Sequence, residues 1–205
     1  MRYAILPVLL LALMAAAACG DEEKESAQTI APTSPVAGSA TATPGGAAPP
    51  GVQAVVDAAL SGDPEELRAL IGYTAVACVR ESVGIGGPPV CREGEAEGTP
   101  VDVLWVAGCE GEYRRSDELD EIPLSLLSAL DFYAAYRWPE EFNAPPVAAE
   151  YAAIFSRTSP TETLAVELLI EDGELAAIKL GCGESPKELV ESDQLEEVVL
   201  PPPGP

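Results

Sequence analysis

Five cysteines, 34 carboxylates and no histidine define the chemistry open to this 205-residue chain. The missing imidazole excludes a Ser-His-Asp triad, a Cys-His pair, a histidine zinc site and a histidine proton shuttle. Any catalysis has to come from carboxylates, Lys, Tyr or a metal. The cysteines divide as one plus four, with Cys19 near the N-terminus and Cys78, Cys91, Cys109 and Cys182 in the body of the chain. An even number of cysteines in an exported domain points to disulfides. Four cysteines admit three pairings, and the sequence leaves all three open. We favour Cys78 with Cys91, which closes a short Gly- and Pro-rich loop, and Cys109 with Cys182, which staples a middle strand to the last one. A Cys₄ zinc site would want C-x₂-C spacing, which is absent. No metal and no cofactor are expected.

The acidic residues are numerous but not grouped for chemistry. A formal charge of −23 argues against nucleic acid and against docking on anionic lipid, and it serves solubility first. Asp117, Glu118, Asp120 and Glu121 suit a helix N-terminus through its dipole. They lack the spacing and glycine of a calcium loop. A catalytic carboxylate should be buried on an apolar face with a raised pKa. Glu167 and Glu171 lie on the Ala165 side of their strand, opposite the Leu164 row, and are expected to face solvent. Gly84-Ile85-Gly86-Gly87 is followed by Pro88-Pro89 instead of a helix, so it reads as a turn beside a disulfide and not as a phosphate loop. Trp105, Tyr136, Trp138 and Tyr151 are the aromatic candidates for lining a pocket. Each taken singly reads first as ordinary core; together, in a cone-shaped fold, they suggest a pocket.

The segments that position these residues begin with an export signal. Met1-Arg2 gives a positive end, and "YAILPVLLLALM" gives about a dozen mostly apolar residues before a run of alanines, the layout of a signal peptide. A membrane span needs ~20 apolar residues, and Pro7 interrupts this run. Ala16-Ala17-Ala18-Cys19 resembles a bacterial lipobox, in which the cysteine is acylated and becomes the first residue; Ala16 stands where that family prefers Leu. Ala16-Ala17-Ala18 also fits an ordinary signal peptidase. The lipobox resemblance implies that lipid on Cys19 anchors the chain to the outer face of the cell membrane, because more than one acyl chain makes anchoring stable. Residues 1–18 are then the signal and 19–50 a Pro-, Thr-, Ala- and Gly-rich linker that cannot bury enough surface to order itself. As a coil, ~30 residues span about 30 Å. Residues 51–200 form one domain, and 201–205 a Pro-rich tail.

Within the domain, Val52, Val55, Val56, Ala59 and Leu60 repeat at helical spacing. After Ser61-Gly62, Asp63 caps a second helix with Pro64 at its first position, Glu66 in a capping box, Leu67, Leu70 and Ile71 on its apolar face, and Gly72 at its end. "YTAVACV" and "TPVDVLWVAGC" read as strands. "SDELDEIPLSLLSALDFY" reads as a helix carrying Leu126, Leu127 and Leu130. The rest is β: "FYAAYRW" puts Phe132, Ala134, Tyr136 and Trp138 on one face, and "EYAAIFSRT" follows. A hairpin then turns at Asp172-Gly173, with Leu164, Val166, Leu168, Ile170, Ile178, Leu180 and Cys182 inward. The tail "EEVVLPPPGP" adds an edge strand that proline ends. Helices followed by a strand meander imply an α+β domain with an antiparallel sheet.

"GVQAVVDAALSGDPEELRALIG" resembles the opening of NTF2-like domains, the SnoaL and ketosteroid isomerase group. The resemblance implies N-terminal helices packed on a curved antiparallel sheet, a cone with a pocket between the layers. The function expected is that of a non-catalytic envelope lipoprotein binding a small apolar ligand or another envelope protein. The alternative is an NTF2-like isomerase or hydrolase using carboxylate or Tyr chemistry. A structural or inhibitory module is not separable from the first reading by sequence.

Overall fold

The computed structural model describes residues 47–119, 127, 129–142, 147–158 and 163–203. The signal, Cys19, most of the linker and most of the helix expected over 117–130 lie outside the described residues. Helix α1, Pro50–Ser61, starts with proline where no intrahelical N–H is needed, and ends at Gly62 in the left-handed conformation, φ 70°. Val52, Val55, Val56 and Ala59 form its buried stripe. Helix α2, Pro64–Arg68, is capped by the Asp63 carboxylate, which accepts the Glu65 N–H at 2.9 Å. The sequence pattern carries this helix on to Ile71, but it stops at Arg68. Residues 70–72 are drawn into sheet pairing instead: the Leu175 N–H donates to the Leu70 carbonyl, and the Gly72 N–H donates to the Leu175 carbonyl.

Eight strands follow among the described residues: β1 Thr74–Ala77, β2 Pro100–Ala107, β3 Gly111–Arg115, β4 Asp131–Arg137, β5 Tyr151–Thr158, β6 Thr163–Glu171, β7 Glu174–Leu180 and β8 Val198–Leu200. They make one sheet in the order β1-β2-β7-β6-β5-β4-β8, and β3 pairs with the later part of β2 on the edge that β1 also uses. This confirms an α+β domain but corrects the expectation of a wholly antiparallel sheet. Trp105–Ala107 of β2 run parallel to Ala177–Lys179 of β7. The two strands are joined by a long path through β3 to β6, and a crossover of that kind, unlike a hairpin, leaves neighbours parallel.

Both faces of the sheet are covered. On the first, α1 and α2 meet Leu104, Val106, Ala135, Ala153, Phe155, Val166, Leu168, Ile170, Leu175 and Ile178, joined by Leu119, Leu127 and Leu130. On the second, Ala134, Tyr136, Trp138, Ile154, Ala165, Leu169 and Ala177 pack with Leu195 and with Leu189 of a third helix, α3, Pro186–Ser192. Its start is fixed by a reciprocal cap. Ser185 Oγ accepts the Glu188 N–H, and the Glu188 carboxylate accepts the Ser185 N–H at 2.8 Å.

Two bulges decide which side chains share a face. The β4–β5 register skips Tyr133, pairing Phe132 with Phe155 and Ala134 with Ile154. Phe132 therefore joins the α1 face, whereas simple alternation groups it with Tyr136. The β6–β7 register skips Ala176. At the hairpin tip, Asp172 and Gly173 both have positive φ, 51° and 81°, the geometry an Asp-Gly turn supplies. Among the described residues no helix is long and apolar enough to cross a membrane.

Candidate functional site

Disulfides join Cys78 to Cys91 and Cys109 to Cys182, with Cα atoms 5.0 and 4.9 Å apart. The second lies just past the ends of the parallel strands β2 and β7, which bring Ala107 and Lys179 side by side. The first closes the base of the 82–90 loop, where the Cys91 N–H donates to the Val79 carbonyl at 2.8 Å. Two disulfides fit an oxidising environment outside the cytoplasm.

The four candidate aromatic residues do not converge on one cavity. Tyr136 and Trp138 are buried in the second face, and Trp105 packs at its margin in an edge contact with Tyr113. Tyr151 belongs to the opposite face. The register explains this: Tyr136 pairs with Ala152, so Tyr151 pairs with Arg137 and meets its guanidinium 5.2 Å from the ring centroid. Burial, with Tyr133 nearby, raises the pKa of the Tyr136 phenol, which makes it a poor base at neutral pH. Among the described residues, side chains fill the space between helices and sheet where a pocket is expected. Val52, Val55, Phe155, Leu168 and Ile170 are at most 1% exposed. The hollow at the α1–α2 corner measures about 10 Å³, no more than a single water needs.

A more open hollow of about 460 Å³ lies at the end of β4. Trp138 contributes to its wall, and Glu140, Glu141, Glu196 and Glu197 surround it. Arg137 is the cation there, 3.3 Å from Glu197. A ligand here would meet three carboxylates beyond those Arg137 neutralises.

Behind Trp138 is the feature the sequence pattern missed. Glu167 is fully buried, contrary to the expectation that it faces solvent. Its strand does alternate as the sequence implies, but α3 covers the alternate face and turns it into a second core. Lys179 Nζ lies 3.2 Å from Glu167 Oε2, pairs also with the Asp193 carboxylate at the end of α3, and sits 5.9 Å from the Trp138 ring centroid. Neither Glu167 oxygen has a hydrogen bond of good geometry. Burial is the main force on this carboxyl and raises its pKa to about 7, with Lys179 opposing and Asp193 adding to the rise. No protein-family model, curated protein or solved structure matches the chain.

Among the described residues Glu167 is the carboxyl that titrates nearest neutrality. Glu167 is not among the residues lining the hollow, however, and its carboxyl is enclosed. Glu171, the other acid expected to face solvent, is half-buried, and one of its oxygens is enclosed without a partner. The signal that would have exposed the Glu167 cluster is Ser185-Pro186-x-Glu188, a capping box with proline at the first helical position, which announces α3.

Proposed function

We propose that this chain is an extracytoplasmic, membrane-anchored lipoprotein whose domain binds a ligand or an envelope protein and does no catalysis. The observation that carries the reading is the pair of disulfides. They suit an exported domain, and they use the four cysteines of the body, leaving Cys19 for the lipid. The linker then acts as a tether that holds the domain off the surface. Packing of α1 directly on β4 to β7 fits an NTF2-like cone whose interior has been filled. Recognition then belongs to outer surfaces such as the hollow at Trp138. The rival, an NTF2-like enzyme, has the raised pKa of Glu167 in its favour. Against it stand the enclosure of that carboxyl and its place under α3, away from the α1 layer.

Cys19→Ser tests the reading. The variant should lose its acyl groups and pass from the membrane fraction to the medium with its fold and disulfides intact. Retention of the variant in the membrane fraction contradicts the anchor.

A further inference from the structure

The Cys78–Cys91 disulfide holds a loop whose apolar side chains point outward. Val83 and Ile85 are each 72% exposed, more than any other large apolar residue described. The loop base is fixed by the disulfide and by backbone bonds from the Val79 N–H to the Pro89 carbonyl and from the Cys91 N–H to the Val79 carbonyl, and its tip by a turn from Gly87 to Gly84. Exposed apolar residues on a preorganised loop lose little further entropy when a partner covers them.

Beside this loop runs β3, an open sheet edge. It pairs with β2 alone, and no described strand lies along its other side. The Gly108 N–H donates to the Glu110 carbonyl at 2.8 Å. Antiparallel strands alternate between hydrogen-bonded and open pairs, so Glu112 and Arg114 bond inward to β2, and Gly111 and Tyr113 turn their amides and carbonyls outward. The loop itself closes on this edge at one point, where a Cβ on Gly86 would lie 3.6 Å from the Gly111 carbonyl oxygen and 3.5 Å from the Trp105 ring. Trp105 lies against Gly111, where any Cβ would strike the indole. Between loop and strand is a cleft of about 360 Å³, lined by Ile85, Pro88, Pro89, Glu110, Glu112 and Tyr113 among others. Among the described residues no Lys or Arg side chain lines it. Glu112 is engaged by Arg114, whereas Glu110 has no ion-pair partner among those described.

We propose that the β3 edge and the 82–90 loop form a docking site for an extended, basic segment of another protein, which adds as a strand along β3. The Tyr113 backbone and the Gly111 N–H supply the ladder, Val83 and Ile85 cover apolar side chains of the guest, and Glu110 receives a Lys or Arg. A second copy of this chain carries the same net charge of −23, so charge favours a basic guest over self-pairing. This inference rests on the proposed binding role and gives it a place and a partner chemistry.

The test is amide NMR and hydrogen exchange on the isotope-labelled full chain, titrated with a synthetic heptapeptide of alternating Lys and Val. Binding should slow exchange at the Gly111 and Tyr113 amides about tenfold or more at peptide concentrations below ~1 mM, and added salt should weaken it. Val83→Ser with Ile85→Ser should reduce affinity about tenfold without changing the melting temperature. Equal binding of a Glu–Val peptide, the absence of any protection at β3, or concentration-dependent protection by the chain itself each overturns the inference. Peptide-induced shifts confined to the Trp138 hollow also overturn it, while leaving the proposed binding role in place; the Cys19→Ser fractionation bears on the anchor alone.

Discussion

Glu167 and Lys179 stand opposite each other in register on β6 and β7, with carboxyl and ammonium groups 3.2 Å apart under helix α3. Asp193, at the end of that helix, takes the other side of the same ammonium. The cluster ties α3 to the sheet by charge where the surroundings are otherwise apolar. Such pairs rarely add much net stability, because desolvation offsets attraction, but they make stability sensitive to proton uptake.

That sensitivity has a definite sign. Folded, Glu167 keeps its proton up to about pH 7; unfolded, it titrates near the ordinary value of 4.5. Between these values the folded state binds more protons, so this group's contribution falls as pH rises through the window, by at most ~3 kcal/mol. Glu167→Gln removes the effect. Urea denaturation at pH 5 and pH 8 should show wild type losing about 1–3 kcal/mol more than the variant between the two. Equal losses would contradict the burial assigned to Glu167.

The disulfides should differ in weight. Cys78–Cys91 closes a separation of 13 residues and Cys109–Cys182 one of 73. Loop-closure entropy gives about 3 kcal/mol for the shorter and about 4 kcal/mol for the longer. The double Ser variant at 109 and 182 should therefore melt below the double variant at 78 and 91. It should also loosen β7 from β2, seen as faster amide exchange at Ala177 and Ile178. The reverse order of melting would mean that the β2–β7 junction holds without its staple.

Arg115 organises the chain leading into β2. Buried at 6% exposure, it donates to both Glu95 oxygens at 2.8 Å and to the Val90 carbonyl at 2.8 Å. The Glu95 carboxyl is held down to about 2, first by that guanidinium and then by the Arg92 backbone N–H. Arg115→Ala should free residues 90–97, read as faster proteolytic cleavage there with the Cys78–Cys91 bond still formed. Arg115→Lys should rescue only partly, since a single ammonium cannot reproduce the two-pronged contact. Full rescue by Lys would reduce the role of Arg115 to charge alone.

What was legible in the sequence was local. The Val52-Val55-Val56-Ala59 stripe gave α1, and Asp172-Gly173 gave the hairpin turn. The β2–β7 pairing was not legible, because it joins distant segments and depends on how the whole meander closes. The bulges at Tyr133 and Ala176 shift side chains between faces without altering the hydrophobic alternation on which the strand reading rests. The largest miss was the second face. Ala165-Glu167-Leu169 has the look of a half-exposed strand edge, and only α3 makes it interior. That helix is seven residues long, too short to show an apolar period, so its capping residues were its one signal.

The intact mass of the mature native protein tests the lipid anchor and both disulfides at once. The expected mass is that of a chain that begins at Cys19, carries two or three acyl groups there, and is four hydrogens lighter than the reduced chain, one pair for each disulfide. A chain that keeps residues 1–18, or begins without acylation on Cys19, or carries free thiols at 78, 91, 109 and 182, would contradict it.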